Sequence, residues 1–146
     1  MMAAYDLSDA SCWDAVWNLY ISELGAGPAR RTVGELQYWA RTIRAEAQRP
    51  LSSFPHCCLQ LCHDECMALS MIAAGQSLDQ EAGYLAAELI TGSRKDESLK
   101  TVWQAASHLA AALREADQIM YPFPVLSSVR SMRCSWRPAA YAPTTP

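Results

Sequence analysis

Residues 55–71 read "PHCCLQLCHDECMALSM", and twelve of these positions, 55–66, hold four cysteines and two histidines. On an α-helix turning about 100° per residue, Cys58, Cys62 and Cys66 share one face about 80° wide. Leu61, Leu69, Ile72 and Ala73 fall on or beside that face, which marks it as core. His63 and Met67 fall at its side or back, Asp64 on the solvent side and Glu65 near the boundary. Three chemistries fit. In the leading reading the cysteines are small hydrophobes that let a neighbouring helix approach, since free Cys is among the most buried residue types. In the alternative, thiolates four residues apart chelate a soft ion. Cu(I) accepts two or three sulfurs and Zn(II) wants four Cys or His ligands. Cys58, Cys62 and Cys66 would supply the sulfurs and His63 a ring nitrogen at the rim. The third is a redox-sensing or nucleophilic thiol, with His63 three residues from Cys66 as its base.

The stretch "CLQLCHDEC" resembles a fragment of the cysteine-rich four-helix-bundle copper-binding proteins. In that family, cysteines at C-x-x-x-C spacing project into a helical bundle and hold Cu(I), so the resemblance implies copper on the same cysteines. It covers one helix. The family carries cysteines on every core helix, whereas here the second, fourth and fifth helices have none and only Cys12 could join the cluster. One or two ions is therefore the ceiling.

Other catalytic signatures are absent from the sequence. It has no G-x-S-x-G elbow, no glycine-rich phosphate loop, no dinucleotide fingerprint and no H-E-x-x-H. Di-iron bundles need Glu-x-x-His on two helices, and Glu35, Glu46, Glu81 and Glu88 have no His three residues on. His108 falls on the solvent side of its helix. No segment supplies a recognisable oxyanion hole for a thiol nucleophile. The expectation is a non-enzymatic protein with no catalytic residue and no resident cofactor, copper or zinc being the alternative.

The elements that must position the cysteines are helical. Trp13, Val16, Trp17, Tyr20, Ile21 and Leu24 recur at the spacing of one helix face. Similar stripes run through Leu36, Trp39, Ala40 and Ile43, through Leu85, Ala86, Leu89 and Ile90, and through Leu99, Val102, Trp103, Ala106, Leu109, Ala110 and Leu113. Helices are expected near 8–24, 32–48, 54–74, 78–91 and 97–119. "GAGP" at 25–28 should end the first. Thr32 with Glu35, and Ser77 with Gln80, have capping-box spacing. Gly75 and Gly92 suit left-handed stops. No segment alternates as a half-buried strand does. The fold class is thus all-α, a single-domain antiparallel bundle of about five helices over residues 1–120. Helices two and three should form one hairpin and helices four and five another.

Residues 121–146 differ, with five of the eight prolines. Proline removes amide donors and blocks helix, so an extended or partly disordered Pro-rich tail is expected, with 138–146 dispensable for folding. Its apolar "YPFPVL" suits a strap on its own bundle or a segment docked on a partner.

Composition narrows the function. Half of the 146 residues are apolar, too many for a disordered chain. No apolar run reaches the roughly 18 residues of a membrane span. The first residues, "MMAAYDLSDA", lack a basic and an apolar signal region, so a cytoplasmic location with reduced thiols is expected. Net charge is −3, divided into −6 over residues 1–120 and +3 over 121–146. An acidic body has no bulk attraction to phosphate backbones, so neither nucleic acid nor membrane is the expected partner. Ten Arg against two Lys, with tyrosines at the stripe edges, suit protein interfaces. The sequence points to a small soluble helical protein that acts by binding another protein, as adaptor, inhibitor or immunity-type protein, or complex subunit. A homo-oligomer is compatible with this.

Overall fold

The computed structural model describes residues 10–53 and 61–120, and the regular structure among them is helical throughout. The five helices of these residues are α1 (Ala10–Leu24), α2 (Ala26–Glu46), α3 (His63–Ser77), α4 (Gln80–Thr91) and α5 (Asp96–Glu115). They pack as the expected all-α bundle. The Pro-rich tail lies outside the described residues.

A single residue separates α1 from α2. Gly25 has φ +79°, a conformation glycine adopts without steric cost. Its N–H caps α1 at Ile21 O, and its carbonyl accepts from Ala29 N. Pro28 then sits in the first turn of α2, where its missing N–H leaves no bond unmade. α2 therefore begins at Ala26, well before the start near 32 that a Thr32 cap implies. Thr32 is instead a fully buried interior residue whose Oγ1 has no hydrogen-bond partner among the described residues, and the Thr32–Glu35 capping box does not form.

The ends of α3 also differ from expectation. It starts at His63, and Cys62 is its N-cap with extended backbone. It runs through Gly75 to Ser77 and stops at Leu78, which takes the left-handed conformation at φ 59° and is 79% exposed. Gly75 serves packing rather than termination: a Cβ there would lie 2.7 Å from the Cβ of Ala110 on α5. Asp79 caps α4 by accepting from Ala82 N at 3.0 Å. Ser77 turns back onto Ala73 O and Ala74 O, so the Ser77–Gln80 box is not used. Gly92 does end α4 as a left-handed cap, φ 69°. Asp96 and Glu97 open α5 and Arg114 lies in its last turn, the polarity a helix dipole favours.

α5 is the element shared by the rest: α2, α3 and α4 all pack on it, α3 packs on α4, and α1 lies on α2. The expected α2–α3 hairpin is replaced by the α2–α5 and α3–α4 pairings. The residues between α2 and α3 are numerous enough to carry the chain across, and the α5 stripe is wide enough to be covered from several sides. Leu36, Ile43, Met67, Met71, Ile90, Val102 and Leu109 fill the core. Gly83 completes it, because the Trp103 ring occupies the space of its absent Cβ.

Candidate functional site

The cysteine stretch builds a polar junction at the N-terminus of α3. Cys62 caps the helix through its own side chain: Sγ accepts from Glu65 N at 3.5 Å, and Glu65 Oε2 accepts from Cys62 N at 2.8 Å. These two bonds form a capping box in which a thiol replaces the usual hydroxyl. The thiol also donates to Ser52 O at 3.1 Å. Asp64, in the first turn of the helix, is only 1% exposed. It accepts from Arg49 Nη1 and Nη2 at 2.8 and 2.6 Å and from Ser52 N at 2.7 Å. Arg49 Nη2 continues to Leu89 O at 3.1 Å, and Gln48 N donates to Thr91 O at 2.8 Å. The junction thus ties the segment after α2 to the start of α3 and the end of α4.

Its electrostatics follow from these bonds. Burial acts to raise the Asp64 pKa, but the Arg49 guanidinium, the Ser52 N–H and His63 outweigh it and hold the carboxyl below the usual range. The same hydrogen bond to Asp64 raises the Arg49 pKa. Burial, only partly offset by the Glu65 N–H, pushes the Cys62 thiol up to about 11. Burial and the Glu65 charge push Cys66 upward as well. A thiol held in its neutral form is a poor nucleophile and a poor metal ligand at neutral pH.

The sequence-derived ligand set is rearranged. Cys58 lies outside the described residues. Cys62 is not on a helix face but on the cap, buried, with Sγ bonded to Ser52 O. Cys66 is half-buried in the first turn of α3 and packs against the core. His63 is half-exposed, with Nδ1 3.3 Å from Asp64 Oδ1. Asp64 and Met67, read as solvent-side or rear residues, are both buried. α3 is enclosed on several sides over 70–75, so a wheel with one inner face does not describe it. Among the described residues, no group of three or more His, Cys, Asp or Glu is placed to hold a metal ion. Sequence reasoning missed the Arg49–Asp64 pair, which joins positions fifteen apart. An acid in the first turn of α3 and an arginine before Pro50 were the available signals.

Beyond the junction, a cleft of about 220 Å³ lies beside the segment after α2, lined by Arg44, Ala47, Arg49, Pro50 and Leu51. A groove of about 160 Å³ lies between α1 and the end of α5, lined by Leu19, Tyr20, Glu23, Leu24, Leu113 and Gln118. The outward face of α2 carries exposed Arg30, Arg31, Arg41 and Arg44, with Tyr38 at 52% exposure. No known protein family, characterised protein or solved structure matches the chain. No helix among the described residues is long and apolar enough to cross a membrane.

Proposed function

We propose that this chain is a non-enzymatic helical bundle that acts by binding another protein, as an adaptor, an inhibitor or immunity-type protein, or a subunit of a complex. The observation that supports the reading is the division of labour among its reactive residues. Cys62, Asp64, Glu65 and Arg49 bond to one another and to the backbone, while arginines and a tyrosine stand outward on α2. Arg and Tyr are, with Trp, the side chains that most often dominate interface energetics. The test is the state of the chain in an extract of its source cells. The expected result is elution well above its 16.1 kDa mass, with crosslinking returning one protein in near-stoichiometric amount. A chain that elutes as a monomer and crosslinks to no protein would overturn the reading.

A further inference from the structure

We infer that the outward face of α2 docks an acidic helix of another protein, which crosses α2 at Gly34 and sets its carboxylates on Arg30 and Arg41. The inference rests on the protein-binding reading above and adds the place and the chemistry of the contact.

The first observation is charge. Residues 1–120 carry a balance of −6, yet four of their seven arginines lie on α2. At about 100° per residue, Arg30, Arg41, Gly34, Gly27, Ala45 and Tyr38 fall within an arc of about 80°. No acid shares that arc; Glu35 and Glu46 lie beyond Tyr38 on the half-buried flank. Arg31 is paired with Glu115. Arg30 and Arg41 are exposed and have no ion-pair or hydrogen-bond partner among the described residues. They stand eleven residues apart, about 16 Å along the axis, and their planar forks suit bidentate contact with carboxylates.

The second observation is glycine placement. Glycine inside a helix is disfavoured relative to alanine. At Gly75 and Gly83 the neighbouring helix supplies the reason, because Ala110 and Trp103 occupy the vacated space. At Gly34, in the interior of α2, an added Cβ would meet nothing within 4 Å. Nothing in the described chain uses the missing side chain. A helix arriving from outside would use it as α5 uses Gly75. The dip lies between Arg30 and Arg41, with Tyr38 one turn away as an apolar anchor.

A nucleic acid or an anionic leaflet fits less well. Both reward dense, continuous positive charge. Here two unpaired cations are separated by a glycine on an acidic body, and α2 contains no lysine.

The experiment places a photo-crosslinking phenylalanine analogue in the full chain, expressed in its source cells. Position 45 lies within the arc and 37 borders it; 78 and 104 lie on other faces. The expected result is one protein crosslinked from 37 and 45, through a peptide containing two or more acidic residues. With that protein purified, Gly34→Leu should weaken binding at least tenfold while the melting temperature holds or rises by about 2–4 °C. Arg30→Glu with Arg41→Glu should weaken binding at least tenfold, and Glu→Arg changes in the captured helix should restore it. Capture only from 78 or 104 would overturn the α2 assignment and leave the protein-binding reading standing. The assignment also fails if Gly34→Leu binds like the wild type, if charge reversal is without effect or is not rescued, or if the crosslinked species is a second copy of this chain. Binding of a 30-nucleotide RNA or of phosphatidylserine vesicles that the charge reversal abolishes would replace it with a different class of partner. No protein adduct at any of the four positions would remove both proposals.

Discussion

Replacing Asp64 with alanine removes the acceptor for two Arg49 bonds and for the Ser52 N–H in one step. Removing one partner of a fully buried pair costs about 3–5 kcal/mol, and an exposed pair is worth about 0–1 kcal/mol. Asp64 is 2% exposed at its side chain but Arg49 is 38% exposed, so the orphaned guanidinium can turn to water. The Ser52 amide keeps a smaller penalty. We therefore expect a loss of about 2–3 kcal/mol, which for a domain of this size lowers Tm by about 5–10 °C. The pH dependence is a sharper check. The Asp64 pKa is lowered on folding, so its contribution is full above the unfolded carboxyl's range near pH 3.9 and is lost as pH falls through the folded value. Urea unfolding of the wild type between pH 7 and pH 2 should show this decline, and Asp64→Asn should flatten it. If Asp64→Ala unfolds within about 0.5 kcal/mol of the wild type at pH 7, the pair is not what fastens α3 to the segment after α2.

Four further outcomes follow from the same geometry. Gly83→Ala should cost more than about 2 kcal/mol, because the new Cβ would stand 1.9 Å from the Trp103 ring and overpacked cores yield by backbone shifts; chemical denaturation measures it. Cys62→Ser should be nearly neutral, since a hydroxyl makes the same cap, whereas Cys62→Ala should cost about 1 kcal/mol through the lost cap; equal losses in the two variants would show that apolar burial rather than capping holds the thiol. The Cys62 thiol should react slowly with a thiolate-selective reagent at pH 8 until the protein unfolds; because folding favours the protonated form, its contribution is full below about pH 8.5 and fades as pH rises toward about 11. Protein purified without chelator should carry no stoichiometric copper or zinc and keep its Tm when chelator is added; about one ion per chain, lost in Cys62→Ala, would instead support a metal site.

The helical repeats were legible because apolar residues at three- and four-residue spacing must share a face whatever the tertiary arrangement. Of the α5 stripe read from sequence, Leu99, Val102, Ala106, Leu109 and Ala110 are buried in the bundle, and Trp103 and Leu113 pack against the core partly buried. Boundaries were less legible, because one residue type can serve opposite ends. Gly25 breaks the chain, yet Gly27 and Pro28, two and three residues later, lie inside α2. Gly75 looks like a stop and is a crossing point, while the actual stop is Leu78, a residue with no intrinsic preference for the left-handed conformation. The cap at Cys62 was hidden for a related reason. A thiol is not a usual N-cap, so the C-x-x-x-C spacing suggested a continuous helix face where the backbone is extended at Cys62.

The Arg49–Asp64 pair was illegible for a deeper reason. Its partners are neither one helical turn apart nor opposite in any repeating pattern, and they meet only where the segment after α2 lies against the start of α3. That contact also decides what Asp64 means. On the surface it would be one more acid in a body already at −6. Buried at the start of α3, it neutralises an arginine, satisfies the Ser52 amide and complements the helix dipole at once. The arginines of α2 have unequal fates. Arg31 finds Glu115 at the end of α5. Arg30 and Arg41 face solvent because α1, α4 and α5 cover the other sides of α2, and no acid among the described residues reaches them. A helix packed on α1, α4 and α5 still presents a remaining face, and here that face sets Arg30 and Arg41 beside Gly34, an interior glycine that the described packing does not use.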